Sequence, residues 1–296
     1  MNFLQAIILG IVQGLTEFIP ISSTAHLVFA SRFTNLYEGH PEQITATIAV
    51  LQLGTLLAVF VYFAPDILSI TAAFFRDHWN LLTRKKNVRF SGTHGVRPIW
   101  LSEEAWLGWL IILGSIPIGV IGLIFKEVIE SSFTKNLWLI ATMLIVVGVL
   151  LAIAETVGSK RKELKDFGII DALVVGFSQV LALLPGASRS GSTIMGGLFA
   201  GQKREAAARF SFLLSVPAIT ASGLLELKEA WLLLPQESFA PLLVGTLVAG
   251  VVGYLSIWFL LSFLRKNSTA VFIIYRLVLG VAILALLWAN VITPQI

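Results

Sequence analysis

Two polar clusters interrupt an otherwise apolar chain, and each holds side chains that can do chemistry. The first, "TEFIPISSTAH", runs from Thr16 to His26. Gln13 and Glu17 stand four residues apart, which on a helix is one face. Ser22 and Ser23 stand four and three residues before His26, so a helix starting there lets a serine hydroxyl and the imidazole share a face. A hydroxyl beside an imidazole is the pairing of a nucleophile with its base, and an imidazole titrates near neutrality. The plain role of Ser22, Ser23 and Thr24 is helix capping, which accounts for at least one of them. The second cluster, "PGASRSGST", runs from Pro185 to Thr193. Arg189 sits in its middle, flanked by Ser188, Ser190, Ser192 and Thr193, while Gly186 and Gly191 keep the backbone bare. Arginine presents a planar fork of donors that matches phosphate oxygens. The start of a following helix adds free N–H groups and the positive end of its dipole. Together these features describe an oxyanion cradle.

The elements that must position these clusters are membrane helices. Of 296 residues, 56% are hydrophobic and only 13% charged, against about a quarter charged in soluble domains. The apolar residues come in blocks, several near the roughly 20 residues that a bilayer-spanning helix needs. The fold class is therefore an all-α, multi-span integral membrane protein. The absence of cysteine excludes disulfides and thiolate metal sites. The N-terminus has neither a basic leader nor a small-residue cleavage site, so a removable signal peptide is not expected. The net charge of +4 belongs to membrane topology and does not imply nucleic acid.

Six blocks read as full spans: Ile44–Tyr62, Ala105–Phe125, Leu137–Ala154, Ala206–Leu225, Ala240–Leu264 and Val271–Val291. Two others break early. Phe3–Ile19 ends at Pro20 and "SSTAH", and Phe167–Leu184 ends at "PGASRSGST". Each is followed by a shorter apolar piece, Leu27–Phe33 or Ile194–Ala200. Proline, glycine and clustered serine break and cap helices, so each pair reads as a re-entrant hairpin, 3–33 and 167–200. With that layout Arg76, Arg84, Lys85, Lys86, Arg89, Arg97, Lys160, Arg161, Lys162, Lys165, Lys203, Arg204, Arg209, Arg265 and Lys266 fall on one side. Only Arg32, Lys126, Lys135 and Lys228 fall on the other. The positive-inside rule makes the richer side cytoplasmic and places both termini outside.

The layout contains a repeat. "VQGLTEFIPISST" resembles "SQVLALLPGASRS", with Gln13 opposite Gln179 and Pro20 opposite Pro185 across a one-residue gap. The chain then reads as one membrane domain of two repeats, 1–155 and 166–296, each a hairpin followed by three spans. An odd number of spans inverts the second copy, an architecture seen in transporters. A carboxylate at membrane depth costs a few kcal/mol on insertion scales, on the order of 3, which makes Glu17 a functional candidate. A purely structural Glu17–Arg189 pair is the alternative, and its desolvation is expensive. Arg276 pairs with Glu155 or faces the interior. His40, His78 and His94 read as solvated loop residues.

"QGLTEFIPISSTAH" and "LPGASRSGST", in this order and with these spans between them, resemble the two signature motifs of the bacterial undecaprenyl-diphosphate phosphatases of the bacitracin-resistance type. The resemblance covers nearly the whole chain. It implies six spans and two re-entrant hairpins in the bacterial plasma membrane. It also implies hydrolysis of undecaprenyl diphosphate to the monophosphate and inorganic phosphate, which recycles the carrier lipid and confers bacitracin resistance. The family's acidic motif falls on Gln13 and Glu17, its serine pair and histidine on Ser22, Ser23 and His26, and its arginine on Arg189. Many relatives have glutamate where this chain has Gln13, which leaves one carboxylate for the divalent cation, Mg²⁺ or Ca²⁺, on which the family depends. The expected assignment makes Ser23 the nucleophile and His26 the base, with Arg189 and Ser188–Thr193 on the phosphates and Glu17 and Gln13 on the metal. Water activated by His26 or Glu17 is the competing mechanism, and a transporter or flippase of an anionic lipid is the competing function. The partners are a polyprenyl diphosphate and membrane lipids, with a homodimer left open.

Overall fold

Asn2 starts the first helix: its side chain accepts from the Gln5 amide while the Gln5 side chain accepts from the Asn2 amide. Helix α1, Phe3–Phe18, follows and stops before Pro20; α2 is Ser23–Phe33. The computed structural model describes residues 1–37, 41–83, 97–98, 100–129 and 136–294. Onward from α2 lie α3 (Pro41–Tyr62), α4 (Ala64–Leu82), α5 (Glu103–Ile124), the single turn α6 (Lys126–Ile129) and α7 (Leu137–Val157). The second half runs α8 (Ile169–Val180, extended by a 3₁₀ turn Leu181–Leu183), α9 (Arg189–Phe199), α10 (Arg204–Leu233), α11 (Phe239–Leu264) and α12 (Ala270–Trp288).

Among the described residues, five helical segments are long and apolar enough to cross a membrane: Glu42–Tyr62, Glu103–Ile124, Leu137–Val157, Gln236–Leu264 and Ala270–Trp288. These match five of the six expected spans. The sixth, Ala206–Leu225, lies inside α10, a helix of 30 residues. Helix α1, with 16 residues, reaches only about 24 Å at 1.5 Å per residue, short of the roughly 30 Å hydrocarbon core.

The two hairpins are built alike. Gln13 to Gln179, Ser23 to Arg189, Phe33 to Phe199 and Asn35 to Gly201 are each a step of 166, and the helices α2 and α9 have 11 residues each. Asn35 and Gly201, just past the two short helices, both have positive φ, 49° and 83°. The pairing is reciprocal: α1 packs on α11, and α8 packs on α5. Both contacts are made through glycine, Gly10 against Gly245 and, again 166 on from Gly10, Gly176 against Gly114. Small residues let membrane helices approach closely. The helices of the two halves interleave, and one core cluster joins Phe18, Phe63, Val147, Ile194, Phe212 and Ile257.

Helix α4 departs from the sequence reading, in which no helix falls between the spans Ile44–Tyr62 and Ala105–Phe125. Polar Asp66, Arg76, Asp77, His78 and Asn80 interrupt the apolar run there and hide an amphipathic helix. Asp77 accepts from the Ser102 amide at 2.8 Å, and Trp109 Nε1 donates to His78 Nε2 at 3.1 Å, so α4 is tied to α5. His78 is therefore packed and not loop-solvated. His40, His94, Arg84, Lys85, Lys86, Arg89 and Lys135 lie outside the described residues. Of the other basic residues assigned to the cytoplasmic side, several are knit into one end of the bundle by the pairs Arg204–Glu155, Lys162–Asp171, Arg265–Glu205 and Arg209–Asp66.

Candidate active site

The site forms where the tips of the two hairpins meet. Each tip turns on a serine in the left-handed region, Ser22 at φ 77° and Ser188 at φ 68°, where only glycine is at ease. Each serine caps the short helix it opens: Ser22 Oγ accepts from the Ala25 amide at 3.5 Å, and Ser188 Oγ from the Gly191 amide at 3.2 Å. The second tip also needs Gly186, at φ 93°, because a Cβ there would strike the Ile140 backbone. Ser190 Oγ donates to the Ile19 carbonyl at 3.4 Å and links one tip to the other.

Arg189, on the second tip, forms an ion pair with Glu17, at the end of α1. The partners are drawn from opposite halves of the chain, and their side chains are 16% and 6% exposed. Glu17 also accepts from Gln13 Nε2 at 3.1 Å and from Gln52 Nε2 at 3.4 Å. Gln13 Nε2 is further held by Thr55 at 3.3 Å, while Gln13 Oε1 is buried with no hydrogen-bond partner among the described residues. Gln13, Glu17, Ser23, Thr24, Ser188 and Arg189 form the polar end of a cleft of about 610 Å³. Its other walls are largely apolar: Ile118, Gly119 and Leu123 of α5, Leu183 and Leu184 of the second hairpin, and Ala218 of α10. A Cβ at Gly119 would meet nothing within 4 Å. The first turn of α9 leaves the N–H groups of Arg189 and Ser190 as open donors.

The structure thus brings together Gln13, Glu17, Ser23, Thr24, Ser188 and Arg189, and gives other candidates different work. Ser22 is a buried cap. Thr193 donates back to the Arg189 carbonyl at 2.8 Å and is fully buried with Ser211. Gly186, Ser190 and Gly191 build the turn and its packing. His26 is not hydrogen-bonded to Ser23. Its Nδ1 lies 2.7 Å from the Ser22 carbonyl, which can only accept, so Nδ1 carries the proton and Nε2 accepts from the Tyr275 hydroxyl at 2.6 Å. The two rings also stack, with centroids 5.6 Å apart.

Gln52, Thr55, Tyr275 and Arg276 were not assigned to the site from the sequence. The first two could have been found as polar residues three apart within an apolar span. Arg276 does not pair with Glu155, which instead binds Arg204 and the Thr269 hydroxyl. It faces the interior, between the two tips.

A largely buried arginine and a buried carboxylate at the junction of two short helices, opening on an apolar cleft, define a membrane protein that handles an anionic group carried on a hydrophobic body. The chain belongs to the family of the bacitracin resistance protein BacA, whose family model matches residues 6–282. It is 52% identical to an undecaprenyl-diphosphatase of Syntrophobacter fumaroxidans over 285 residues, 96% of this chain and 97% of that one. It is 45% identical to an undecaprenyl-diphosphatase of Prosthecochloris aestuarii, covering 97% and 98% of the two chains. A Myxococcus xanthus undecaprenyl-diphosphatase is 45% identical, covering 100% of this chain and 92% of its own.

Proposed function

We infer that this chain is an undecaprenyl-diphosphatase of the bacterial plasma membrane. It hydrolyses undecaprenyl diphosphate to undecaprenyl phosphate and inorganic phosphate, which returns the carrier lipid to peptidoglycan synthesis and removes the diphosphate that bacitracin sequesters. The observation that carries this reading is the Arg189–Glu17 junction at the polar end of an apolar-walled cleft. The diphosphate needs the first and the isoprenoid chain needs the second.

Arg189 gives its fork to the phosphate oxygens, joined by the open N–H groups at the start of α9. Phosphoryl transfer asks for positioning and charge neutralisation more than covalent effort. Ser23, on the cleft and without a hydrogen-bond partner among the described residues, attacks the terminal phosphorus. The bond from that phosphorus to the bridging oxygen breaks, and undecaprenyl phosphate leaves. His26, one helical turn on, takes the serine proton, gives it up to the departing phosphate, and as a neutral base again activates the water that frees phosphate from the serine. This step requires the imidazole to leave Tyr275. A second reading has water attack directly while Ser23 binds phosphate, and the His26–Tyr275 hydrogen bond favours it. Phosphoserine at Ser23 under rapid quench supports the first; hydrolysis with no phosphoserine at any time supports the second.

The residues fit a divalent cation shared with the substrate. Gln13 Oε1 is a buried oxygen with no hydrogen-bond partner among the described residues, and the same amide meets the Glu17 carboxylate through Nε2, so turning that amide over would set its oxygen beside the carboxylate. Both are hard donors suited to Mg²⁺ or Ca²⁺. Among the described residues no group of three or more acidic or histidine side chains could hold a metal. Glu17 and Gln13 would hold such a cation, which would supply neutralisation of the diphosphate charge.

The proposed topology is six spans and two re-entrant hairpins in an inverted repeat, with both termini outside. The common step of 166, the reciprocal glycine contacts and the shortness of α1 support it. Cysteines introduced singly into this cysteine-free chain test the layout: Phe3→Cys and Val291→Cys are expected to react with an impermeant maleimide from outside intact cells. Labelling only after lysis would overturn it.

A further inference from the structure

The first and second tips are held by one residue that the chemistry above does not use. Arg276 is fully buried in α12. Among the described residues no carboxylate pairs with it. Its guanidinium donates instead to five carbonyl oxygens: Pro20 at 3.3 Å, Gly186 at 3.0 Å, Ala187 at 2.9 Å, and Met143 and Leu144 of α7 at 3.3 Å each. Pro20 lies two residues before Ser22, and Gly186 and Ala187 immediately precede Ser188. One planar cation therefore holds the turn of each hairpin and a third helix as a reference.

We propose that Arg276 is the positioning residue of the active site, a clamp that sets the two hairpin tips in register so that Arg189 and Ser23 face one substrate. The proposal rests on reading the cleft as the phosphatase site.

Three features carry it. The first is geometry. A trans peptide sets its C=O and N–H on opposite edges, so drawing the Ala187 carbonyl to Arg276 turns the Ser188 N–H away from it. The orientation of the peptide that opens α9 is thereby fixed. The second is strain. Ser22 and Ser188 both hold positive φ at the residue that starts a short helix. Such conformations persist only where the surroundings over-determine them, and Arg276 binds carbonyls within two residues of each. The third is charge. A buried cation met only by carbonyl dipoles keeps its positive field, and Arg276 Nη1 lies 3.2 Å from where a Gly191 Cβ would be, behind the first turn of α9. A side chain at Gly191 would press on the guanidinium by a few tenths of an ångström. A lysine keeps the charge but cannot span carbonyls on three elements with one planar group.

The test combines kinetics with a structural readout that does not depend on turnover. Arg276→Lys and Arg276→Met are purified, and kcat and KM are measured per folded molecule with undecaprenyl diphosphate. In parallel, spin labels are placed at Phe33→Cys and Phe199→Cys, the exposed ends of α2 and α9, in this cysteine-free chain. Their distance distribution is recorded with Arg276 and with each replacement. The expected result is a kcat at least tenfold lower in both variants, a KM within threefold of wild type, and a distribution that broadens or shifts. If Arg276→Met does not fold, Arg276→Lys decides. Wild-type kcat in folded variants overturns the proposal. So does a lowered kcat with an unchanged distribution, which would make the residue a source of field only. If the wild-type protein releases no phosphate, the proposed function fails, while an unchanged distribution remains the result that sinks the clamp.

Discussion

Removing one or both charges of the Glu17–Arg189 pair separates its structural role from its catalytic one. Glu17→Gln leaves the Arg189 side chain, 16% exposed, without its carboxylate; Arg189→Met leaves the Glu17 side chain, 6% exposed, with only the Gln13 and Gln52 amides. Stranding one member of a buried pair costs about 3–5 kcal/mol. The cleft is open to solvent, so the lower end applies, about 3 kcal/mol for each single variant. The double variant strands no charge and is expected to lie within about 1 kcal/mol of wild type, because replacing a whole buried pair is often neutral. Activity follows a different rule. Two charge-assisted hydrogen bonds from Arg189 to a phosphate are worth about 3–5 kcal/mol, which is roughly 10²–10⁴-fold in rate. The double variant should therefore recover its stability but not its activity. Thermal unfolding in detergent, followed by intrinsic tryptophan fluorescence, gives the first, and phosphate release per folded molecule gives the second. A double variant that hydrolyses at the wild-type rate would reduce the pair to a structural strut. Single variants as stable as wild type would mean that the pair is not desolvated.

Gly119→Ala should be silent, since a Cβ there meets nothing. Gly119→Trp should fill the cleft, lowering turnover of the long-chain diphosphate at least tenfold while sparing a short-chain one, as read from chain-length competition. Gly14→Leu should cost about 2 kcal/mol or more, because even its Cβ would lie 2.7 Å from the Val252 Cβ; yield of monodisperse protein is the readout. His26→Ala should lower kcat by roughly 10²–10⁴ as expected for loss of a general base. Tyr275→Phe should lower it less than tenfold, because the tyrosine hydroxyl only holds the resting imidazole.

Much of this architecture is legible in the sequence. Apolar blocks of span length, and serine, glycine and proline where they end, mark both the long helices and the two broken ones. The charge of the loops and the match of Gln13 with Gln179 are what the sequence offers toward the proposed re-entrant, repeated layout. Helix α4 is not legible by the same signal, because Asp66, Asp77 and His78 make it too polar to register as a span and their partners Arg209, Ser102 and Trp109 are remote in sequence. At the site, the pairing of Glu17 with Arg189 is legible as one alternative, because opposite charges in apolar surroundings can satisfy each other; buried Arg276, met by carbonyls alone, shows that the sequence does not force it. The roles of Ser22, Thr193 and His26 are not legible, because helical spacing allows a shared face without deciding which neighbour the side chain chooses. His26 bonds Tyr275, 249 residues away. Arg276 reads as one charge in an apolar helix; its carbonyl partners are backbone atoms, which leave no residue-type signature.

The proposed catalytic site is assembled from both hairpin tips. Phosphate release from undecaprenyl diphosphate by the purified protein in detergent, with and without EDTA, tests it most directly when Ser23→Ala and Arg189→Ala run beside wild type. The expected result is metal-dependent release by wild type and a loss of at least a hundredfold in each variant, though the two residues lie on different hairpins. Wild-type release that survives either substitution in folded protein would contradict it.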